Sequence, residues 1–199
     1  MTTLFLARHG QSTWNAQQRW QGQADPPLSE LGRQQAWSAS AGVGTVDLIF
    51  ASPQQRALET ATIISQAVGV GPVIAVEDLR ERSAGAWSGL TKDDIDEQFP
   101  GWLENDKRPD DFESDDDLLA RVMPALDAIA IEGAGGAILV VCHGGVIKAV
   151  EGHLGLEEGR VPNLSGRVLK SKGKGKWLTG QQIQLLDIGQ STGGDGTRV

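Results

Sequence analysis

The chain has 199 residues, one cysteine, three histidines and a formal net charge of −8 at pH 7. That length suits one domain with a sizeable core; the acidic balance argues against nucleic acid or an anionic membrane as the main partner, and the lone cysteine excludes an internal disulfide, fits a reducing cytoplasm and, with so few histidines, leaves little for a structural zinc site. No apolar run approaches the roughly 20 residues a bilayer span needs, and the first such run carries Arg8 and His9 with no small-residue cleavage pattern behind it, so a secretory leader is not expected.

Residues 3–7 (TLFLA) read as a buried strand, and residues 28–41 as a helix with Ser29 as N-cap. A second strand is expected over 46–52. Residues 53–69 open with Pro53 at a helix start and close with Gly69, the usual asymmetry of helix ends. Residues 72–79 read as a third strand and 137–143 as a fourth, followed by a short helix from Gly144. Two more strands are expected around the Gly/Lys-rich segment 172–176, and a frayed tail over 188–199. Strand–helix alternation implies an α/β fold of three α/β/α layers around a mainly parallel central sheet, within a single domain over 1–187. The polar, acidic stretch 84–117 breaks the rhythm and reads as a small insertion over one edge of the sheet. At its end Ser114 and Asp117 make a capping-box pattern, and Pro124 predicts a kink or break in the helix beyond.

Ligands of open α/β sheets bind beyond the carboxyl ends of the strands. There this sequence places Arg8 and His9, then Arg56, then Glu81, then His143 with Gly144 behind it. Two guanidinium forks and a histidine suit the oxygens of a phosphoryl group, whose charge is redistributed in the transition state. A second histidine can be a covalent nucleophile, and a carboxylate can protonate the leaving oxygen and later deprotonate water. With the arginines supplying positive charge, neither a metal nor any other cofactor is called for. The anion served is a small phosphorylated substrate.

The segments LARHGQSTWN, QGQADPPLSELGRQQA, SPQQRALETA, DLRERSAGAWSGLT and VVCHGG resemble the histidine phosphatase superfamily, also called phosphoglycerate mutase-like, in the family's order over roughly residues 3–150. The resemblance implies His9 as phosphorylated nucleophile, Glu81 as proton donor, Arg8, Arg56 and His143 as the phosphate pocket, and Asn15 and Gln21 as amides near the phosphoryl group. It implies a metal-independent phosphomonoester hydrolase acting on a small phosphorylated metabolite in the cytoplasm. The alternatives are a phosphoglycerate mutase and a non-catalytic phospho-ligand module on the same fold. The chain departs from the mutase branch in having no tyrosine and no long insertion, and from the phosphatase branch in carrying Phe112-Glu113-Ser114 where Gly-Glu-Ser is usual.

Other residues read more plainly. His153 lies on the helix after the fourth strand, with nothing around it that suggests chemistry. Cys142 is an apolar strand residue, since a cysteine phosphatase needs an Arg six residues on and Lys148 stands there. The acidic run from Asp110 to Asp117 is a solvated face and helix start, or a barrier to highly anionic substrates. Most tryptophans are core or pocket wall, with Trp14, Trp20 and Trp87 candidates for the substrate's non-phosphate end. The sequence leaves oligomeric state open.

Overall fold

The computed structural model describes residues 1–157 and 159–186. The tail expected over 188–199 lies outside them. Six strands form one sheet in the order β3-β2-β4-β1-β5-β6, with β1 Thr2–Arg8, β2 Leu48–Ala51, β3 Val73–Ala75, β4 Ala137–Cys142, β5 Ser165–Ser171 and β6 Trp177–Gln184. β3, β2, β4 and β1 pair in parallel, whereas β5 runs against both β1 and β6. The fold is therefore α/β with a mainly parallel sheet.

Alternation along the strands feeds two cores. Leu4, Leu6, Ile138 and Val140 point to one face, where α5 (Asp115–Glu132) and α6 (Gly144–His153) cover them with Leu118, Val122, Leu126, Val146, Ile147 and Val150. Ala7, Ile49, Ala51, Leu139 and Val141 point to the other, beneath α2 (Glu30–Ala39) and α3 (Gln55–Val68) with Ala39, Ala57, Ala61 and Ile64. Strands buried on both faces need near-continuous apolar sequence, which is why β1 and β4 were easy to read.

Three local expectations are corrected. The third strand is only Val73–Ala75, and Glu77–Leu79 turns into a single 3-10 turn. β3 is an edge strand whose partner β2 has four residues and ends at Ala51, so the ladder stops once the Val76 amide has bonded the Ala51 carbonyl. α3 begins at Gln55 rather than at Pro53. Gln54 is its N-cap in extended backbone, and the Gln54 side chain serves other partners. Of the kink or break expected at Pro124, the break does not occur: α5 continues through it. Proline removes one helical donor, but Leu118, Val122, Leu126 and Ile129 bury a continuous stripe against the sheet, and that burial outweighs the loss.

Within 84–117 lie a 3-10 turn (Gly85–Trp87) and α4 (Lys92–Gln98). Trp20, Trp87, Ile95, Phe99, Trp102 and Phe112 make a third apolar cluster that unites the insertion. Its rings meet edge to face, Trp20 with Trp87 at 5.2 Å and Trp87 with Phe112 at 6.1 Å. The Arg108 guanidinium lies 5.3 Å over the Trp87 ring. Trp87 and, packed on it from outside the insertion, Trp20 thus belong to this buried cluster rather than to an open pocket wall. Trp14 is half-buried beside Gly89, while Trp37 stands exposed on α2.

Candidate active site

Register alone brings the two histidines together. β1 and β4 are parallel neighbours with Arg8 opposite Cys142, so the next residue of each strand emerges at the same rim. The His9 amide bonds the Cys142 carbonyl at 3.1 Å, and the rings of His9 and His143 sit 5.2 Å apart. From here the chain leaves β1 toward α2 on one face and β4 toward α6 on the other, which opens the crevice in which such sheets hold ligands. Arg56 enters from the first turn of α3 and is fully buried.

The hydrogen bonds fix the His9 tautomer. A carbonyl can only accept, so Nδ1–H donates to the Gly10 oxygen at 2.6 Å. A guanidinium can only donate, so Nε2 is the bare lone pair that accepts from Arg56 Nε at 3.2 Å. Burial, followed by the charges of Arg56 and Arg8, holds the imidazole well below its ordinary pKa of 6.5, although the Gly10 bond opposes this. Nε2 is therefore unprotonated and nucleophilic at neutral pH. His143 is likewise pushed well below the ordinary value by burial first and then by the charges of Arg56, Arg8 and Arg121, with Nε2 hydrogen-bonded to Ser52 Oγ at 2.8 Å.

Arg56 is pinned by carbonyls as well as by His9. It donates to Ala24 O at 2.8 Å and Gly22 O at 3.0 Å, and burial lowers its pKa only to about 10, so it stays charged. Arg8 donates to Val161 O at 2.8 Å, and the side chain passes beside Gly144, the first residue of α6. Asn15 and Gln21 join the same wall through Ser12. The Ser12 hydroxyl donates to Gln21 Oε1 at 2.7 Å and accepts the Asn15 amide, while Asn15 Oδ1 accepts the Ser12 amide. Asn15 Nδ2 and His143 Nδ1 are buried with no hydrogen-bond partner among the described residues. A buried NH₂ so placed calls for an acceptor-rich ligand.

Glu81 is buried, with one carboxylate oxygen accepting the Arg82 amide at 2.9 Å and the other the Gly145 amide at 3.1 Å. A Cβ on Gly145 would come within 2.5 Å of that carboxylate, so only glycine lets α6 approach so closely. All eight residues expected at the site, Arg8, His9, Asn15, Gln21, Arg56, Glu81, His143 and Gly144, thus lie around the strand ends or in the loops packed against them. His153 is exposed at the end of α6. Cys142 is fully buried and its thiol is pushed up by burial, which suits an apolar strand residue and not a nucleophile.

Several contributors escaped the sequence. Gln54 accepts the Glu81 amide at 2.7 Å and donates to Gly22 O and Ala24 O, the same two carbonyls that hold Arg56. Asn163 donates to the His9 carbonyl at 2.8 Å, and the Thr60 hydroxyl accepts the Gly10 amide. These are neutral side chains in ordinary turns and helices. Only the SPQQR segment offered a signal, by placing Gln54 two residues before Arg56.

The family whose sequence model matches is the histidine phosphatase superfamily (branch 1), over residues 4–179. The chain is 36% identical over 160 residues to a metal-independent phosphoserine phosphatase of Arabidopsis thaliana, covering 75% of this chain and 67% of that one. It is 36% identical over 179 residues to a 2,3-bisphosphoglycerate-dependent phosphoglycerate mutase of Methylobacterium radiotolerans, covering 82% and 84%. It spans only 42% of the length of a matching bifunctional protein of Mycobacterium tuberculosis. Among solved structures, a mycobacterial glucosyl-3-phosphoglycerate phosphatase complexed with VO3 superposes with a TM-score of 0.80 at 32% identity, covering 90% of this chain and 97% of that one.

Proposed function

The chain belongs to the histidine phosphatase superfamily, and we propose that it is a metal-independent phosphomonoester hydrolase acting on a small phosphorylated metabolite. The observation that carries this reading is the locked His9 ring: Nδ1 is tied to the Gly10 carbonyl, and Nε2 carries no proton, its lone pair accepting from the buried Arg56 guanidinium, which a phosphate oxygen can take over as the ring attacks. His9 Nε2 attacks phosphorus, and the bond from phosphorus to the leaving oxygen breaks. Glu81 gives that oxygen a proton, so an alcohol departs. Arg8, Arg56, Asn15 Nδ2 and His143 hold the transferring oxygens. Water then attacks the phosphohistidine, Glu81 takes its proton back, and inorganic phosphate leaves.

Guanidinium groups supply the charge a divalent ion would otherwise bring. No three His, Cys, Asp or Glu side chains gather as a metal-binding group among the described residues. No helix among them is long and apolar enough to cross a membrane, and the lone cysteine supports a cytoplasmic location.

The likeness to a named mutase favours a second reading, in which the phosphoryl group returns to substrate instead of passing to water. Incubation with phosphoserine and, separately, with 3-phosphoglycerate decides between them. The hydrolase reading expects inorganic phosphate that carries one oxygen from labelled water. Conversion of 3- to 2-phosphoglycerate without release of phosphate would overturn it in favour of the mutase.

A further inference from the structure

The proton donor sits in an irregular segment. Beyond the 3-10 turn at Glu77–Leu79, residues 80–83 belong to no helix or strand, yet a general acid must be held to within a fraction of an ångström. The carboxylate contacts with the Arg82 and Gly145 amides orient the side chain but do not hold the backbone that carries it. The Gln54 side chain takes the Glu81 amide, and two further residues, Arg121 and Glu113, hold the rest of the segment.

Arg121, in the second turn of α5, spends all five of its N–H groups here. One terminal nitrogen donates to Asp78 O and Arg80 O, both at 2.8 Å. The other donates to Glu81 O at 3.1 Å and to Glu113 Oε2 at 2.8 Å, and Nε donates to Glu113 Oε1 at 2.7 Å. Glu113 completes the frame. Its Oε2 accepts the Ser83 amide at 3.0 Å, and its own amide donates to Ser83 O at 3.1 Å. Although burial opposes ionisation, the bonds from Arg121 and the Ser83 amide hold the Glu113 carboxyl below its ordinary range, so the pair is ionic at neutral pH. A bidentate fork of this kind resists rotation, which a lysine ammonium cannot imitate.

We propose that Arg121, fixed by Glu113, is the positioning residue for Glu81, an inference that rests on Glu81 being the proton donor of the hydrolysis. One guanidinium grips two carbonyls just before the donor, those of Asp78 and Arg80, and that of the donor itself, and so sets where the carboxyl meets the leaving oxygen. If the clamp served only the stability of the fold, its loss would harm every substrate alike. If it aims Glu81, the harm falls on substrates that need a proton.

The test compares phosphoserine, an alkyl phosphate with a poor leaving group, with p-nitrophenyl phosphate, whose leaving group needs little protonation. Arg121→Lys is expected to lower kcat/KM by about 10- to 100-fold on phosphoserine, the scale of a slightly misplaced catalytic group, and by less than about threefold on p-nitrophenyl phosphate. Glu113→Gln should show the same selectivity in weaker form, and it carries the test if Arg121→Lys does not fold. Because both act through one carboxyl, the double variant Glu81→Gln/Arg121→Lys should be no slower on phosphoserine than Glu81→Gln alone. Equal losses on both substrates, or additive losses in the double variant, overturn the positioning role. Should Glu81→Gln itself lose equally on both, the donor assignment falls and the clamp with it. Selectivity in Glu81→Gln without selectivity in Arg121→Lys or Glu113→Gln overturns the clamp alone.

Discussion

The pocket at the ends of β1 and β4 and the insertion over 84–117 solve opposite problems. The pocket buries two arginines and two histidines, and backbone carbonyls at Gly10, Gly22, Ala24 and Val161 hold His9 and both arginines. The insertion is held by aromatic rings in edge-to-face contact, with Arg82 and Arg108 over them and acidic side chains outside. Main-chain acceptors cannot change rotamer, so the pocket's charges are fixed before any ligand arrives. Ring packing fixes a shape without committing it to any one chemistry. On the proposed mechanism the reaction belongs to the pocket, and the insertion's aromatic cluster folds beside it.

Variants on either side can break that division. Arg56→Lys removes a fork that touches His9 Nε2 and two carbonyls at once, and kcat/KM should fall by about 10²–10³-fold, the scale of losing a preorganised donor. A loss below tenfold would mean that the pocket is not preorganised. Trp87→Ala removes a fully buried ring, and chemical denaturation should show a loss of about 3–5 kcal/mol. Turnover of p-nitrophenyl phosphate by the folded fraction should fall far less than with Arg56→Lys. An equal fall would place the insertion inside the chemistry.

A smaller effect concerns pH. His9 and His143 are held below 6.5 in the folded chain, so between pH 6.5 and their lowered values the unfolded chain binds more protons than the folded one. Stability from these two groups is complete above pH 6.5 and is lost as the pH falls below it. His143→Gln should reduce that slope in denaturation curves measured from pH 7 to pH 5, and an unchanged slope would contradict the burial of a neutral ring. Prolonged EDTA treatment should change the rate of phosphate release not at all. Loss of activity restored by Mg²⁺ or Mn²⁺ would show that the pocket's arginines do not suffice.

The same contrast explains what the sequence could disclose. Arg8, His9 and His143 were legible because a charged or titratable residue at the end of a buried strand is costly unless something uses it. Gln54, Thr60 and Asn163 were not, since a neutral amide or hydroxyl gives no such signal and its partners come from remote turns. Glu113 was visible only as a departure from a motif, and its pairing with Arg121 requires the fold of the insertion onto α5. The expected third strand overruns the observed one by four residues at its C-terminal end because Val76 and Leu79 are as apolar as the strand before them, while the ladder depends on β2. The unbroken helix through Pro124 shows tertiary burial prevailing over a local preference.

The central claim is that the phosphoryl group passes through Nε2 of His9, because Nδ1 is committed to the Gly10 carbonyl. Its most direct test is a rapid quench into alkali during turnover of labelled phosphoserine, followed by peptide mapping and phosphorus NMR of the modified peptide. The account predicts one phosphoryl group on His9, bonded to Nε2, formed at least as fast as phosphate is released and absent from His9→Ala, which should be inactive. An adduct on Nδ1, Ser52 or Cys142, or a His9→Ala variant with full turnover, would contradict it.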